Sequence, residues 1–69
     1  MMTKFKIRYQ IIVHYEVGGW VAIVQSRREF QDPAGMWDQV FKTEPYSTTD
    51  LARARAKSWV NELHPDWIK

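Results

Sequence analysis

Apolar and polar residues alternate along the first third of the chain. From Phe5 to Val17 every odd position is apolar or aromatic, and every even position is polar except Ile12. A second strand-like run, which begins with five consecutive apolar residues, extends from Trp20 to Phe30. A period of two is typical of a strand with one buried face, and Gly18-Gly19 between the runs predicts a tight hairpin loop.

The two runs fix a register if the loop consists of the two glycines. Val17 then lies opposite Trp20, and Arg8 lies opposite Glu29 as a favourable cross-strand charge pair. A longer loop around the glycines is the alternative. A slip of one residue would turn every apolar side chain to the other face. The face expected to form the core consists of Phe5, Ile7, Tyr9, Ile11, Val13, Tyr15, Val17, Trp20, Ala22, Val24 and Phe30.

The middle of the chain predicts a turn and a shorter third strand. Asp32-Pro33-Ala34-Gly35 has the residues of a type I turn. Residues 36–42 follow as a strand, and Pro45 ends the pairing because it has no N–H to donate. Strand alternation places Trp37 and Phe41 on one face, and the other face receives Met36, Asp38 and Val40.

The last third of the chain predicts a helix over about residues 48–63. Ser47 followed by Asp50 resembles a capping box, and Pro65 stops the helix at or just before His64. An apolar stripe recurs at helical spacing and comprises Ala52, Ala56, Trp59, Val60 and Leu63. Trp67 in the short tail is expected to fold back onto the core.

These elements predict an α+β fold in a single domain, 1–69. It is a three-stranded antiparallel meander, with strands at about 4–17, 20–30 and 36–42, and one C-terminal helix packs across its apolar face. The second face of the sheet remains open.

Length and composition limit how this fold can be stabilised. The chain has 69 residues, no cysteine and four tryptophans. A domain of this size buries only about 60% of the surface of its unfolded chain, so the aromatic residues must supply much of the core. Self-association is another way in which a small domain is stabilised. A homodimer formed by edge-strand pairing or by face-to-face sheet packing is therefore an alternative.

Charge and hydropathy bear on partners and compartment. The net charge is +2, which is mildly basic and too small to indicate a nucleic-acid binder unaided. The longest apolar run near the N-terminus is Ile11-Ile12-Val13, too short for a signal peptide or a membrane span. We therefore expect a cytoplasmic protein without a membrane partner.

The open face offers two kinds of binding site. Ile12, Val21 and Ile23 form an apolar cluster in a polar rim, which favours a protein-binding surface together with His14 and Trp37. The preferred hypothesis is a small inhibitor or adaptor that covers a surface of a host protein or protein complex. The alternative is nucleic-acid binding through the basic residues of the sheet and helix, which are Lys4, Lys6, Arg8, Arg27, Arg28, Lys42, Arg53, Arg55 and Lys57.

Catalytic and metal-binding residues are not indicated. His14 and Glu16 point the same way from one strand, but an acid–base pair needs a pocket that shifts pKa values, and a small sheet with one helix seldom forms one. No spacing of histidines and carboxylates matches a zinc ligand set. We expect no enzymatic activity, no cofactor and no metal.

Two segments carry a resemblance to a known family. Gly19-Trp20-Val21-Ala22-Ile23-Val24, followed by Tyr46-Ser47-Thr48-Thr49-Asp50-Leu51-Ala52 through Trp59, resembles the arm-type DNA-binding domains of phage tyrosine integrases. Those domains are similar to plant AP2-type domains and insert a three-stranded sheet into the major groove. The resemblance implies DNA contacts by Arg27, Arg28 and Lys42. The longer first strand and the acidic Asp32 and Asp38 depart from that pattern.

A second resemblance is one of size and composition alone. A small, aromatic-rich domain without catalytic residues is similar to bacteriophage inhibitor proteins such as anti-CRISPR proteins. That similarity implies a function performed by covering a surface of a host machine.

Overall fold

The structure, a computed structural model, describes residues 7–28 and 36–69. Its elements are β1 (Ile7–Glu16), β2 (Gly19–Arg28), β3 (Asp38–Lys42) and α1 (Thr49–Leu63). The three strands form one antiparallel sheet in the order β1-β2-β3, which confirms the predicted α+β fold of three strands and a C-terminal helix. The predictions for Lys4, Phe5, Lys6, Glu29, Phe30 and the turn at 32–35 lie outside the described residues.

The β1–β2 register differs from the predicted one by two residues. Tyr15 lies opposite Trp20 and Glu16 opposite Gly19, so the loop consists of Val17 and Gly18. Because the difference is an even number of residues, the faces are as predicted. Val17, however, is 99% exposed rather than part of the core.

The second glycine belongs to β2 because another segment of the chain crosses close to it. Trp20 donates its N–H to the carbonyl of Tyr46 (2.7 Å) and accepts from the N–H of Tyr46 (2.8 Å). This bridge brings the Tyr46 carbonyl so near that a Cβ on Gly19 would lie 2.5 Å from its oxygen. Glycine is thus required here for close approach as well as for its φ of +142°.

A β-bulge in β3 changes which side chains share a face. Val24 pairs with Phe41 but Gln25 pairs with Gln39, so Val40 is the extra residue. Phe41 faces the core, whereas Trp37 lies against Arg27 on the other side of the sheet. The prediction that Trp37 and Phe41 share a face is therefore wrong, because the bulge reverses the alternation between them.

The core lies between the sheet and α1. Its buried residues are Tyr9, Ala22, Val24, Ala52, Ala56 and Val60, and partly buried side chains pack around them: Ile11, Val13, Trp20, Phe41, Tyr46, Trp59 and Trp67. Most of the predicted apolar stripe of the helix is confirmed. Leu63 is the exception, since it is exposed at the last turn.

Both ends of α1 are defined by local contacts. The N-cap is Thr48, whose side chain accepts a hydrogen bond from the Leu51 N–H at 3.2 Å. The predicted capping box of Ser47 and Asp50 is therefore wrong by one residue.

Beyond the C-cap at His64, the tail returns to β1. Tyr9 donates to the Ile68 carbonyl and the Ile68 N–H donates to the Ile7 carbonyl, both at 2.9 Å, and this pairing brings Trp67 against Tyr9 as predicted.

Candidate binding surface

The face of the sheet turned away from α1 carries most of the residues singled out from the sequence. We call it the open face. It presents the even residues of β1 and the odd residues of β2, because successive side chains of a strand point to opposite faces. Its described members are Arg8, Gln10, Ile12, His14, Glu16, Val21, Ile23, Gln25, Arg27, Gln39 and Lys42.

Two isoleucines form the apolar centre of the open face. Ile12 and Ile23 lie directly opposite each other on β1 and β2. Ile12 is 40% exposed and Ile23 is half-buried. Their exposed methyl groups are the apolar part of this surface that a partner can cover.

An amide pair borders this centre on one side. Gln10 and Gln25 are opposite each other, and Nε2 of Gln10 donates to Oε1 of Gln25 at 2.6 Å. Because each amide is partly satisfied by the other, covering the pair costs less desolvation than covering two separate amides.

A charged network borders the centre on the other side. Oε2 of Glu16 is 2.6 Å from Nε2 of His14, and Oε1 of Glu16 is 3.0 Å from Nζ of Lys42. The hydrogen bond from His14, followed by the one from Lys42, lowers the pKa of Glu16 below its usual value. The carboxylate is thus held ionised between its two partners.

Val21 does not belong to the exposed cluster predicted from the sequence. It points to the open face, yet it is only 1% exposed. Glu16 pairs with Gly19 and Lys42 with Ile23, so the ion pair between them crosses β2 at the level of Val21. This crossing reduces the predicted cluster of three apolar residues to two.

The far end of the open face combines arginine with tryptophan. Cζ of Arg27 lies 5.6 Å from the centre of the Trp37 ring, which is within the range of a cation–π contact. Nε of Arg27 is buried without a hydrogen-bond partner among the described residues. Arg8 lies opposite Arg27 rather than Glu29, because of the two-residue difference in register.

The remaining basic residues are distributed over different sides of the fold. Arg53 and Lys57 are exposed on α1, and Cζ of Arg55 lies 5.4 Å from the Phe41 ring centre. Lys42 is paired with Glu16, and Arg28 lines a cleft on the helix side. Among the described residues, Arg8, Arg27 and Lys42 of the open face thus lie on the opposite side of the sheet from the helix group of Arg53, Arg55 and Lys57, and the two groups do not form one patch.

A cleft that no sequence pattern predicts lies beside the C-terminal end of α1. Its volume is 660 Å³, and its walls include Arg28, Met36, Trp59, His64 and Trp67. The His64 ring stacks on Trp67 with 3.9 Å between ring centres and 12° between planes. His64 therefore lies on the helix side of the sheet, away from His14 and Glu16 on the open face.

Residues 7–28 and 36–69 contain neither a candidate metal site nor a membrane-spanning helix. These residues contain no group of three histidine, cysteine, aspartate or glutamate side chains that could hold a metal ion. In the same ranges, no helix is sufficiently long and apolar to span a membrane.

Comparisons with known proteins returned no relatives. No family model, no curated protein and no solved structure matches the chain. The geometry of its own surfaces therefore carries the functional argument.

Proposed function

We propose that the protein is a non-enzymatic protein-binding module that docks through its open face and acts as an inhibitor or adaptor by covering part of a larger protein complex. The observation that carries this proposal is the Ile12–Ile23 pair, set between two polar groups that are already bonded internally. An apolar centre within a polar rim is the usual anatomy of a protein interface.

The neighbours of the two isoleucines favour a protein partner. The Gln10–Gln25 pair and the His14–Glu16–Lys42 network hold their side chains in fixed positions, so docking orders few additional rotamers. Arg27 and Trp37 add arginine and tryptophan, two of the three residue types that are enriched at binding hot spots.

Site-specific photo-crosslinking tests the proposal in cells of the source organism. A photoreactive phenylalanine derivative replaces Ile12 in one variant and Leu51 in the other. Leu51 is a matched control because it is an exposed aliphatic residue on the helix. Each product is identified by its mass, which separates another protein from a second copy of this chain.

The proposal expects a protein product from position 12 and little from position 51. Equal labelling at both positions, or no product with another protein at position 12, would contradict docking through the open face. A nucleic-acid product at position 12 would replace the proposal with the second candidate function.

The second candidate is nucleic-acid binding by the arginine end of the open face. Arg8 lies directly opposite Arg27, so two guanidinium groups stand side by side on this surface, and guanidinium groups attract the phosphates of a nucleic acid. Fluorescence anisotropy with labelled duplex and single-stranded oligonucleotides tests this candidate. Binding must weaken steeply as salt is raised.

Two double variants test whether the oligonucleotides bind to the open face. Arg8→Gln with Arg27→Gln removes the two arginine charges of the open face, and Arg53→Gln with Lys57→Gln removes the same number from the helix. Nucleic-acid binding through the open face requires loss of affinity in the first variant and its retention in the second. No binding by the unmodified chain at low salt excludes the candidate.

A further inference from the structure

The outer edge of β1 carries backbone groups that have no hydrogen-bond partner among residues 7–28 and 36–69. The Tyr9 N–H and the Ile7 carbonyl point away from β2, since both bond to Ile68 of the tail. The odd residues of an antiparallel strand share this direction. Ile11, Val13 and Tyr15 therefore direct their N–H and carbonyl groups outward, and these groups make no hydrogen bond to any described residue. We call residues 11–15 the free edge.

In the part of the chain that the structure describes, the free edge lacks the features that normally prevent strands from pairing between molecules. Native edge strands are protected by lysine, proline, a bulge or a covering segment. The free edge has the sequence Ile-Ile-Val-His-Tyr, and β1 pairs with β2 without a bulge. The tail covers β1 only as far as Tyr9. Tyr15, on the helix side of the sheet, is 66% exposed.

We propose that the free edge pairs antiparallel with the free edge of a second copy of this chain, about a two-fold axis at Val13. Val13 then faces Val13 of the second copy, and Ile11 faces Tyr15 in both directions. The Val13–Val13 pair and the two Ile11–Tyr15 pairs are of the hydrogen-bonded type, so each makes two backbone hydrogen bonds. The sheets of the two copies become continuous.

Axes at the neighbouring residues Ile12 and His14 are less favourable than the axis at Val13. An axis at Ile12 would place Tyr15 opposite Tyr9 of the second copy, whose N–H is already donated to Ile68. An axis at His14 would leave Ile11 unpaired and would set two histidines against each other. The axis at Val13 satisfies every outward group of the free edge.

Side-chain pairing in this register is favourable on both faces. On the open face, Ile12 faces His14 and Gln10 faces Glu16, an amide donor opposite a carboxylate. On the helix side, Ile11 covers the exposed Tyr15. The register places no like charges opposite each other, which would be destabilising. The added burial also suits a chain of this size, because small domains often depend on association.

The two-fold axis determines on which side of the dimer the two open faces lie. A two-fold axis that relates antiparallel neighbours in one sheet is perpendicular to that sheet. Both open faces therefore lie on the same side of the dimer and both helices on the other. The dimer rests on backbone geometry at the edge and does not depend on what the open face binds.

Single-cysteine variants test the register because the natural chain has no cysteine. Ile12 and His14 of the second copy form a non-hydrogen-bonded pair, with Cα atoms about 4.5 Å apart, within the range for a disulfide. Two Ile12 residues are diagonal neighbours about 7–8 Å apart. Oxidation of a mixture of Ile12→Cys and His14→Cys should therefore give a covalent heterodimer, and either variant alone should give little dimer.

Other oxidation patterns would overturn the proposal. Efficient crosslinking of Ile12→Cys alone, or of His14→Cys alone, would place the axis at a different residue. Light scattering that gives the 8.3 kDa mass of one chain at every concentration would exclude self-pairing and leave the free edge to a strand of another protein.

A proline variant tests the backbone bonds directly. Tyr15→Pro removes an N–H that points outward, so the β1–β2 hydrogen bonds are retained. Circular dichroism should remain that of the folded chain while the mass falls from two chains to one. Tyr15→Phe is the control and should remain a dimer. A folded Tyr15→Pro variant that keeps the mass of two chains would contradict pairing at the free edge.

Discussion

Glu16 and Lys42 belong to the two outer strands of the sheet, yet a carboxylate oxygen of Glu16 lies 3.0 Å from Nζ of Lys42. The pair crosses the middle strand over Val21, a buried side chain on the face that has no helix to cover it. The open face is therefore partly closed by the protein's own charged side chains. Ile12 and Ile23 remain as its apolar centre.

The ionisation of Glu16 makes part of the stability depend on pH. Its pKa is lower in the folded chain than the ordinary value of 4.5, because of hydrogen bonds from His14 and Lys42. The stabilisation is present above the ordinary value and is lost as pH falls through the folded value. We expect Glu16→Gln to lower the urea midpoint at about pH 6, with a smaller difference from the unmodified chain at about pH 3. An unchanged difference across this interval would contradict the role of Glu16.

The two glycines of the hairpin should respond differently to alanine. Gly18→Ala introduces a side chain at a φ of +103°, where the nearest atom is a Pro45 carbon at 3.5 Å, and should cost about 1–2 kcal/mol. Gly19→Ala adds a collision with the Tyr46 carbonyl oxygen at 2.5 Å and should cost on the order of 3 kcal/mol. Thermal unfolding of both variants measures the difference, and equal losses would refute the close crossing at Gly19.

The buried hydroxyl of Thr43 takes the place of a backbone acceptor. Thr43 Oγ1 accepts from the Ala22 N–H at 3.0 Å and donates to the Glu44 carbonyl at 2.9 Å. Thr43→Val keeps the shape but leaves a buried N–H unsatisfied, so it should lower the free energy of unfolding by about 1–3 kcal/mol. Thr43→Ser retains both bonds and should cost about 0.8 kcal/mol for the lost methyl. Urea denaturation compares them, and a valine variant as stable as the serine one would argue against this role.

Adjacent residues before α1 offer a matched test of its N-cap. Thr48→Ala removes the hydrogen bond to the Leu51 N–H and should destabilise the protein by about 1 kcal/mol. Ser47→Ala should have little effect, because Ser47 precedes the cap. The midpoints of thermal unfolding decide between the two positions. A larger effect at Ser47 would restore the capping box expected from the sequence.

Local patterns were sufficient to predict the centre of the core but not its ends, since Tyr15, Val17 and Leu63 are exposed. The alternation of β1 and the helical spacing of Ala52, Ala56 and Val60 each reflect one buried face, which is a property of consecutive residues. The register of the hairpin was not predictable in this way, because it depends on Tyr46 approaching Gly19 from a distant part of the chain.

The candidate site was only partly predictable for the same reason. Ile12 stands out as an exception to the alternation, and Ile23 follows from its pairing. The burial of Val21 depends on an ion pair between β1 and β3, and the position of Trp37 depends on a bulge at Val40. Neither contact leaves a periodic signal in the sequence.

We propose that the Ile12–Ile23 pair binds a protein partner. The most direct test is the affinity of Ile12→Lys for the protein that crosslinks at position 12, compared with the affinity of the control Leu51→Lys. Ile12→Lys should lower the affinity at least about tenfold, or ~1.4 kcal/mol, and Leu51→Lys should leave it unchanged, with both variants folded. Unchanged affinity of Ile12→Lys would contradict the claim.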